Sequence, residues 1–291
     1  MCQLVLKDNY GRPLVELRVS VTQMCNYSCI FCHREGISGN HVEISLDKWE
    51  KIFKAAKNLG IRKMKITGGE PLLYHQIVEF VRTAKKYFDE VSLTTNGYLL
   101  EEFSQKLKSA GIDRINVSLH SLDRKTYKKI TGVDGLKKVL RGIKAARDLG
   151  IKVKVNVLVL RGINDREVER FIEFARVNMI DLQFIEYEPL LGLSSEYHIS
   201  LDFIDRILEK RAIVIKIKRR HYKRSYLIPP WIDVLHTWHS RETCMGCTRL
   251  RITPDGKAYP CIFRGNETVD LLPDPVNGII KANNLRRPFW R

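Results

Sequence analysis

Three segments share one pattern: "NLGIRKMKI" (58–66), "SAGIDRINV" (109–117) and "DLGIKVKVN" (148–156) each close a helical stretch on Gly and enter a strand through Ile. A glycine there can take the left-handed backbone that ends a helix. A strand that begins straight after a helix, repeated along the chain, implies parallel strands joined by right-handed crossovers. The strand-like runs are "ELRVSVT" (16–22), "RKMKITGG" (62–69), "EVSLTTNG" (90–97), "RINVSLHS" (114–121), "KVKVNVLVL" (152–160) and "DLQFIEYEPL" (181–190). Between them lie amphipathic patterns. In "SLDKWEKIFKAAKNLG", Ser45 is a good N-cap, Ile52, Phe53, Ala56 and Leu59 share a face, and Gly60 stops the helix.

Six such units reach to about residue 190, and the last hundred residues change character: a helix at "SLDFIDRILEK", a β-rich "AIVIKIKRR", then a Pro- and Trp-bearing stretch. The fold expected is α/β, an incomplete, open (βα)6 TIM-type barrel over residues 1–190 with a C-terminal extension, residues 191–291, across its mouth. Ligands then sit at the C-terminal ends of the strands.

Composition excludes some classes. There is no run of eighteen apolar residues to span a bilayer, and the start turns polar too early for a secretory signal, so a cytoplasmic location is expected. The net charge of +17, from 50 Lys and Arg against 33 Asp and Glu, favours polyanionic partners such as nucleic acid, anionic lipid or nucleotide phosphates without choosing among them. The concentration "KIKRRHYKR" (216–224) reads as a solvated face.

The cysteines are more telling. Six of the seven form two triplets, Cys25, Cys29, Cys32 and Cys244, Cys247, Cys261; Cys2 stands apart and reads as incidental. Clustered thiols in a reducing compartment point to metal rather than disulfides. Structural zinc wants four protein ligands, and the fourth is not obvious: His33 is too close to Cys32, while His236 or His239 could complete the second set. A four-iron cluster takes one cysteine per iron, so three leave one iron open to a substrate or cofactor. In "CTRLRITPDGKAYPCIF" the "PDG" turn brings Cys261 back toward the pair. Arg249 and Arg251 alternate onto one face as planar forks suited to phosphate, and Leu250 points into the core.

"CNYSCIFC" after a first strand, with Phe31 before the third Cys, and "ITGGEPLLY" (66–74) after the second, resemble the radical S-adenosylmethionine (SAM) superfamily. The ordered set "GRPLVELRVSVTQMCNYSCIFC", "TGGEPLL", "LTTNGYLL", "INVSLHSLD", "VKVNVLVLRGIND", "FIEYEP" and "CTRLRITPDGKAYPCIF" resembles its GTP 3',8-cyclase family, which opens molybdenum-cofactor biosynthesis; "CHREG" is similar to archaeal members. The resemblance implies two 4Fe-4S clusters. Cys25, Cys29 and Cys32 hold the catalytic one, and Cys244, Cys247 and Cys261 hold an auxiliary one whose open iron takes the guanine. It also implies that Phe31, Gly69 and Ser118 contact SAM, that Gly68, Gly69 and Glu70 receive its methionine amino group, and that Arg18, Lys65, Thr94, Lys154, Arg249 and Arg251, with the intervening Leu250, surround GTP.

The chemistry so implied is that of a lyase. An external donor supplies an electron, SAM is cleaved, the 5'-deoxyadenosyl radical takes hydrogen from C3' of GTP, and the carbon radical attacks C8 to give 3',8-cyclo-7,8-dihydro-GTP. The next molybdopterin-pathway enzyme receives the product; a homodimer is compatible, a membrane is not expected, and nucleic acid is disfavoured. Three departures stand out: Lys65 where many members carry Arg, an end without the family's Gly-Gly tail (for which Arg287 or Arg291 or a neighbouring chain substitutes, or else the substrate differs), and Glu188 where bacterial relatives place Met. The rival readings are a peptide- or tRNA-modifying radical enzyme and a redox-sensing iron-sulfur regulator.

Overall fold

The computed structural model describes residues 5–40, 42–189, 193–218, 223–236 and 244–289. Six parallel strands follow the expected order: β1 (Glu16–Ser20), β2 (Lys63–Thr67), β3 (Glu90–Thr95), β4 (Arg114–Ser118), β5 (Lys152–Val159) and β6 (Asp181–Glu186). They alternate with α1 (Leu46–Asn58), α2 (Ile77–Lys85), α3 (Leu100–Ser109), the pair α4 (Arg124–Thr131) and α5 (Leu136–Asp148), and α6 (Val168–Asn178).

The helix-to-strand junctions show why the repeat works. Gly60, Gly111 and Gly150 stand at φ 77°, 90° and 69°. At each, the Gly N–H reaches back to a carbonyl of the last turn (Lys57, Lys108, Arg147), and the next Ile N–H reaches further, to Ala56, Leu107 and Ala146. This double bond pattern caps the orphan carbonyls and drops the Ile side chain, buried in all three cases, onto the core. The junction after α6 uses the same bonds with Met179 at φ 51° in place of Gly. The same logic makes α1 two-faced: Trp49, Ile52, Phe53 and Ala56 are fully buried, and Phe53 meets Phe80 of α2 edge-on at 5.2 Å.

The C-terminal extension departs from expectation. Instead of only crossing the mouth, it adds strands to both edges of the sheet. After α7 (Asp202–Glu209), strands β7 (Val214–Lys218), β8 (Lys223–Leu227) and β9 (Trp231–Leu235) join at β6 through a parallel β6–β9 pair. Strands β10 (Arg249–Ile252), β11 (Lys257–Tyr259) and β12 (Val269–Asp270) join at β1 through a parallel β1–β10 pair, and α8 (Pro275–Asn284) follows. The order is β12-β11-β10-β1-β2-β3-β4-β5-β6-β9-β8-β7, so a parallel run from β10 to β9 is flanked by antiparallel hairpins. Residues 190–192, where the two-part division was expected, lie outside the described residues. Ile232, Val234, Leu250 and Ile252 of the extension belong to the same apolar core as the six-strand unit. Among the described residues, no helix is long and apolar enough to cross a membrane.

Paired residues of parallel strands point to the same side. Leu17, Val19, Met64, Ile66, Leu93, Ile115, Val117, Leu250 and Ile252 are fully buried toward the helices. The other face carries polar rows: Arg251, Arg18, Lys65, Ser92 and Arg114 in one register, and Thr94, Asn116 and Lys154 in the next.

Candidate active site

The first cysteine loop leaves β1 and is fixed from three sides. Gly69 and Glu70 donate their N–H groups to Thr22 O (2.8 Å) and Met24 O (2.7 Å). Asn96 at the end of β3 donates to Asn26 Oδ1 (2.7 Å), and Ser28 and Ile30 donate to Thr131 O and Ile130 O of α4. The Tyr27 and Tyr127 hydroxyls meet at 2.9 Å. Cys25 and Cys32 are exposed and Cys29 is half-buried.

Burial, then the charges of Cys32 and Cys25, push the Cys29 thiol up to about 12. A shared metal cation would stabilise such clustered thiols as thiolates. A single tetrahedral zinc would hold its sulfurs within ~4 Å of each other. Among the described residues only Asp202, Asp205 and His236 gather three ligand atoms within 4.8 Å, and neither cysteine triplet does. His236, considered above as a zinc ligand, instead meets Asp205 Oδ2 through Nε2 (2.6 Å), and His239 lies outside the described residues, as does Cys2.

The "GGEP" residues divide their work. Gly68 stands at φ 151°, where a Cβ would lie 2.4 Å from Thr22 O; a Cβ on Gly69 would lie 2.3 Å from Met24 O. The glycines therefore let β2 approach the cysteine loop. The Glu70 side chain is turned into the protein. It is 1% exposed and accepts from Leu72 N (3.0 Å), Thr95 Oγ1 (2.7 Å) and Asn96 N (2.7 Å). Burial pushes it up to about 7 against those donors. Its carboxyl ties the end of β3 to the end of β2 and so places Asn96.

Phe31 packs edge-on against His120 (4.7 Å) beside the Ile130, Leu160 and Tyr187 cluster, and burial pulls His120 down to about 4, keeping it neutral. Ser118, at the tip of β4, is half-buried on the interior side.

The interior cations are mostly pre-paired, which the sequence did not reveal. Arg18 gives its fork to Glu35 (Nε 2.9 Å, Nη2 2.6 Å), and Arg251 Nη1 reaches the same carboxylate at 2.6 Å. Thr67 donates to it as well (2.9 Å). Burial alone would raise Glu35, but Arg18 and Arg251 hold it well below the carboxylate range. Arg249 pairs with Glu16 at 2.8 Å. Lys154 pairs with Asp233, which Lys223 also meets (2.7 Å); against burial, the two lysines keep Asp233 well below its ordinary value. Asp233 had a signal, a lone carboxylate in the apolar strand "WIDVL"; Glu35 had only its place in "CHREG".

Lys65 is different. Among the described residues it has no ion-pair partner, and Glu16 acts on it only through space. Burial, reinforced by Arg249, Arg18 and Arg114, pulls it down to about 7. Between pH 7 and its unfolded value the unfolded chain binds the extra proton, so folding stability rises with pH across that window. An anion seated against Lys65 does the reverse, taking up a proton above pH 7. Polyphosphate affinity is therefore expected to fall about tenfold per pH unit above 7 and to lose that slope in Lys65→Met, as read by titration calorimetry between pH 6 and 9.

The second triplet surrounds a cavity lined by Arg12, Arg249, Arg251, Arg286, Phe263 and Phe289. Thr253–Lys257 closes the expected hairpin, with Gly256 at φ 79°. Arg249 and Arg251 share the interior face, whereas the Leu250 side chain is 0% exposed on the opposite one, so only its backbone can face a ligand. Arg12 and Arg286, 4% and 1% exposed and linked to Asp8, donate to Cys244 O (2.8 Å) and Cys247 O (2.5 Å). Burial works against the Cys247 thiolate, yet Arg286 and Arg249 outweigh it and lower its pKa. Arg287, a candidate tail substitute, pairs with Glu267 at 2.8 Å, and Phe289 stacks on Phe263 at 4.2 Å; Arg291 lies outside the described residues. Glu188 is half-buried just beyond β6.

Residues 19–175, more than half of the chain, match the Radical SAM superfamily. A "Probable GTP 3',8-cyclase" of Thermococcus kodakarensis is 40% identical over 99% of this chain and 100% of its own. The chain belongs to the radical SAM superfamily, in its GTP 3',8-cyclase family. Relatives of the same name in Pyrococcus horikoshii (40%, covering 98% of each chain) and Saccharolobus islandicus (42%, covering 91% and 88%) agree. Among solved structures, Streptococcus suis SuiB bound to S-adenosylmethionine superposes with TM-score 0.73 at 17% identity, covering 94% of this chain and 66% of that one. The AdoMet-bound anSMEcpe follows at 0.65 and 17%, covering 93% and 81%. At such identities these two establish the fold alone. Radical SAM membership implies an iron-sulfur cluster, and the Cys25–Cys32 loop lies inside the matched segment.

Proposed function

We propose that this radical SAM enzyme is a GTP 3',8-cyclase, a lyase that converts GTP to 3',8-cyclo-7,8-dihydro-GTP, the first step of molybdenum-cofactor biosynthesis. The observation that carries the reading is a cavity lined by the second thiol triplet together with Arg249 and Arg251, in a chain that carries a separate thiol triplet after β1 and whose full-length relatives bear that name. Cys25, Cys29 and Cys32 would hold one 4Fe-4S group and Cys244, Cys247 and Cys261 a second. When bound, the first group and SAM supply one-electron cleavage of the sulfonium and removal of hydrogen from the ribose.

The chain's own residues do the rest. Gly68 and Gly69 bring β2 against the cysteine loop, where their backbone would receive the methionine end of SAM. Phe31, packed on His120, and Ser118 at the tip of β4 would contact SAM. Arg249, Arg251, Arg18, Lys65 and Lys154, on one side of the sheet with Thr94, would surround GTP and neutralise its triphosphate, and the second triplet would receive the base. Fixing base and triphosphate at opposite ends holds C3' near C8, converting ring closure into an intramolecular step. An external electron donor and a following enzyme that consumes the product complete the partners.

The test is anaerobic reconstitution with GTP and SAM followed by mass analysis of the nucleotide, with iron measured alongside. About eight irons per chain are expected; zinc in their place, or an unaltered nucleotide, would overturn the reading. Arg249→Ala should weaken GTP binding by roughly tenfold or more, the scale of a lost charge-assisted contact. Unchanged affinity would remove Arg249 from the phosphate site.

A further inference from the structure

We propose that Glu35 is the resident counter-anion of the polyphosphate-binding arginines: a positioning residue that occupies the fork of Arg18, aims Arg251, and limits the charge offered to the nucleotide. The inference rests on the phosphate-binding role given above to Arg18 and Arg251.

The geometry is specific. Both guanidinium groups reach one buried carboxylate, Arg18 through Nε and Nη2 and Arg251 through Nη1. Arg18 therefore cannot offer a phosphate the bidentate fork that makes arginine the preferred phosphate ligand. Arg251 contributes only one nitrogen, Nη1, to Glu35.

The backbone that carries Glu35 is held in place as well. Arg34, Glu35 and Gly36 stand in succession at φ 47°, 56° and 75°, a conformation that non-glycine residues keep only when their surroundings impose it. Here the surroundings are visible. Tyr259 donates to the Glu35 carbonyl (3.0 Å), Thr67 holds the carboxylate (2.9 Å), and Gly36 packs so tightly that a Cβ would lie 2.2 Å from Ile262 O. The turn that follows Cys32 is thus locked to the loop that begins at Cys261, and Glu35 sits where the two meet.

Two arginines and one glutamate carry a net charge of +1, and Glu35→Gln raises it to +2. A polyanion should then bind more tightly, while the arginines lose the anchor that sets their direction. These opposite signs separate the idea from a merely structural role, in which any damage at Glu35 weakens binding and turnover together.

The experiment measures affinity of the anaerobic holoenzyme for GTP and, separately, for inorganic triphosphate, at two salt concentrations, together with cyclised product. Glu35→Gln is expected to bind both probes about tenfold more tightly, with a steeper loss in salt, and to form product at least tenfold more slowly. Equal or weaker binding by a variant that retains its iron and melting temperature overturns the proposal. If that variant does not hold its iron, Glu35→Asp decides. It keeps the charge but is too short to hold both arginines, so affinity should stay within twofold while product formation falls; a change in affinity beyond fivefold overturns the idea. A parent enzyme that binds triphosphate but makes no cyclised nucleotide would sink the function proposed above and leave the role of Glu35 standing.

Discussion

Cys29→Ser is expected to abolish 5'-deoxyadenosine formation under dithionite, a loss of about three orders of magnitude or more, equivalent to ~4 kcal/mol of barrier. Cys29 is the most enclosed thiol of its loop, and the neighbouring backbone already bonds around it, with Cys32 N donating to Cys29 O at 3.1 Å. A serine hydroxyl at that place is a hard, protonated donor that cannot replace a soft thiolate. Cys261→Ala should behave differently, keeping SAM cleavage within about tenfold while losing the cyclised nucleotide, because it stands on the β11 side of the sheet beside Arg251. Product analysis by mass and 5'-deoxyadenosine by chromatography give both readouts on one sample. Equal loss of cleavage in the two variants would contradict separate roles for the triplets.

The second large effect is structural. Gly69→Ala places a Cβ 2.3 Å from Met24 O and 2.5 Å from Gln23 O, both backbone atoms that cannot rotate away. Either β2 retreats or the cysteine loop moves, and the bond from Gly69 N–H to Thr22 O is strained in both cases. We expect a cost of about 3 kcal/mol, seen as a melting temperature lower by roughly 6–12 °C, together with deficient iron at the first triplet. Gly39→Ala is a suitable control, since nothing lies within 4 Å of a Cβ there and only its positive φ is disfavoured. A Gly69→Ala protein with parental melting and iron content would mean that the close approach of loop and strand is not needed.

Much of the site was legible in the sequence because it is local. A thiol triplet within eight residues, paired glycines at a strand end, and alternating arginines on one strand are patterns of spacing, and spacing survives folding. The polar rows on the concave face follow from strand alternation once the register is known. Leu250 shows the same rule from the other side: two arginines facing the interior require their neighbour to face the helices, and it is fully buried there.

What escaped was non-local pairing. Glu35 and Arg251 are 216 residues apart, Lys154 and Asp233 are 79 apart, and Arg12 reaches Cys244 across 232. No spacing rule connects such residues; they meet because β10 and β9 dock at opposite edges of one sheet. Met179, closing α6 as glycine closes the others, escaped because its left-handed backbone is imposed by the following strand rather than by residue type.

By itself, the sequence determined the succession of parallel strands, the glycine junctions that turn each helix back, and the two sets of clustered thiols, since each depends on residues a few positions apart. Only the tertiary structure decided that the extension would continue the sheet at both edges and that most of the interior cations would already be paired with carboxylates. The reason is electrostatic: a buried guanidinium or ammonium group needs a carboxylate close by, and which carboxylate is near is a property of the folded chain alone.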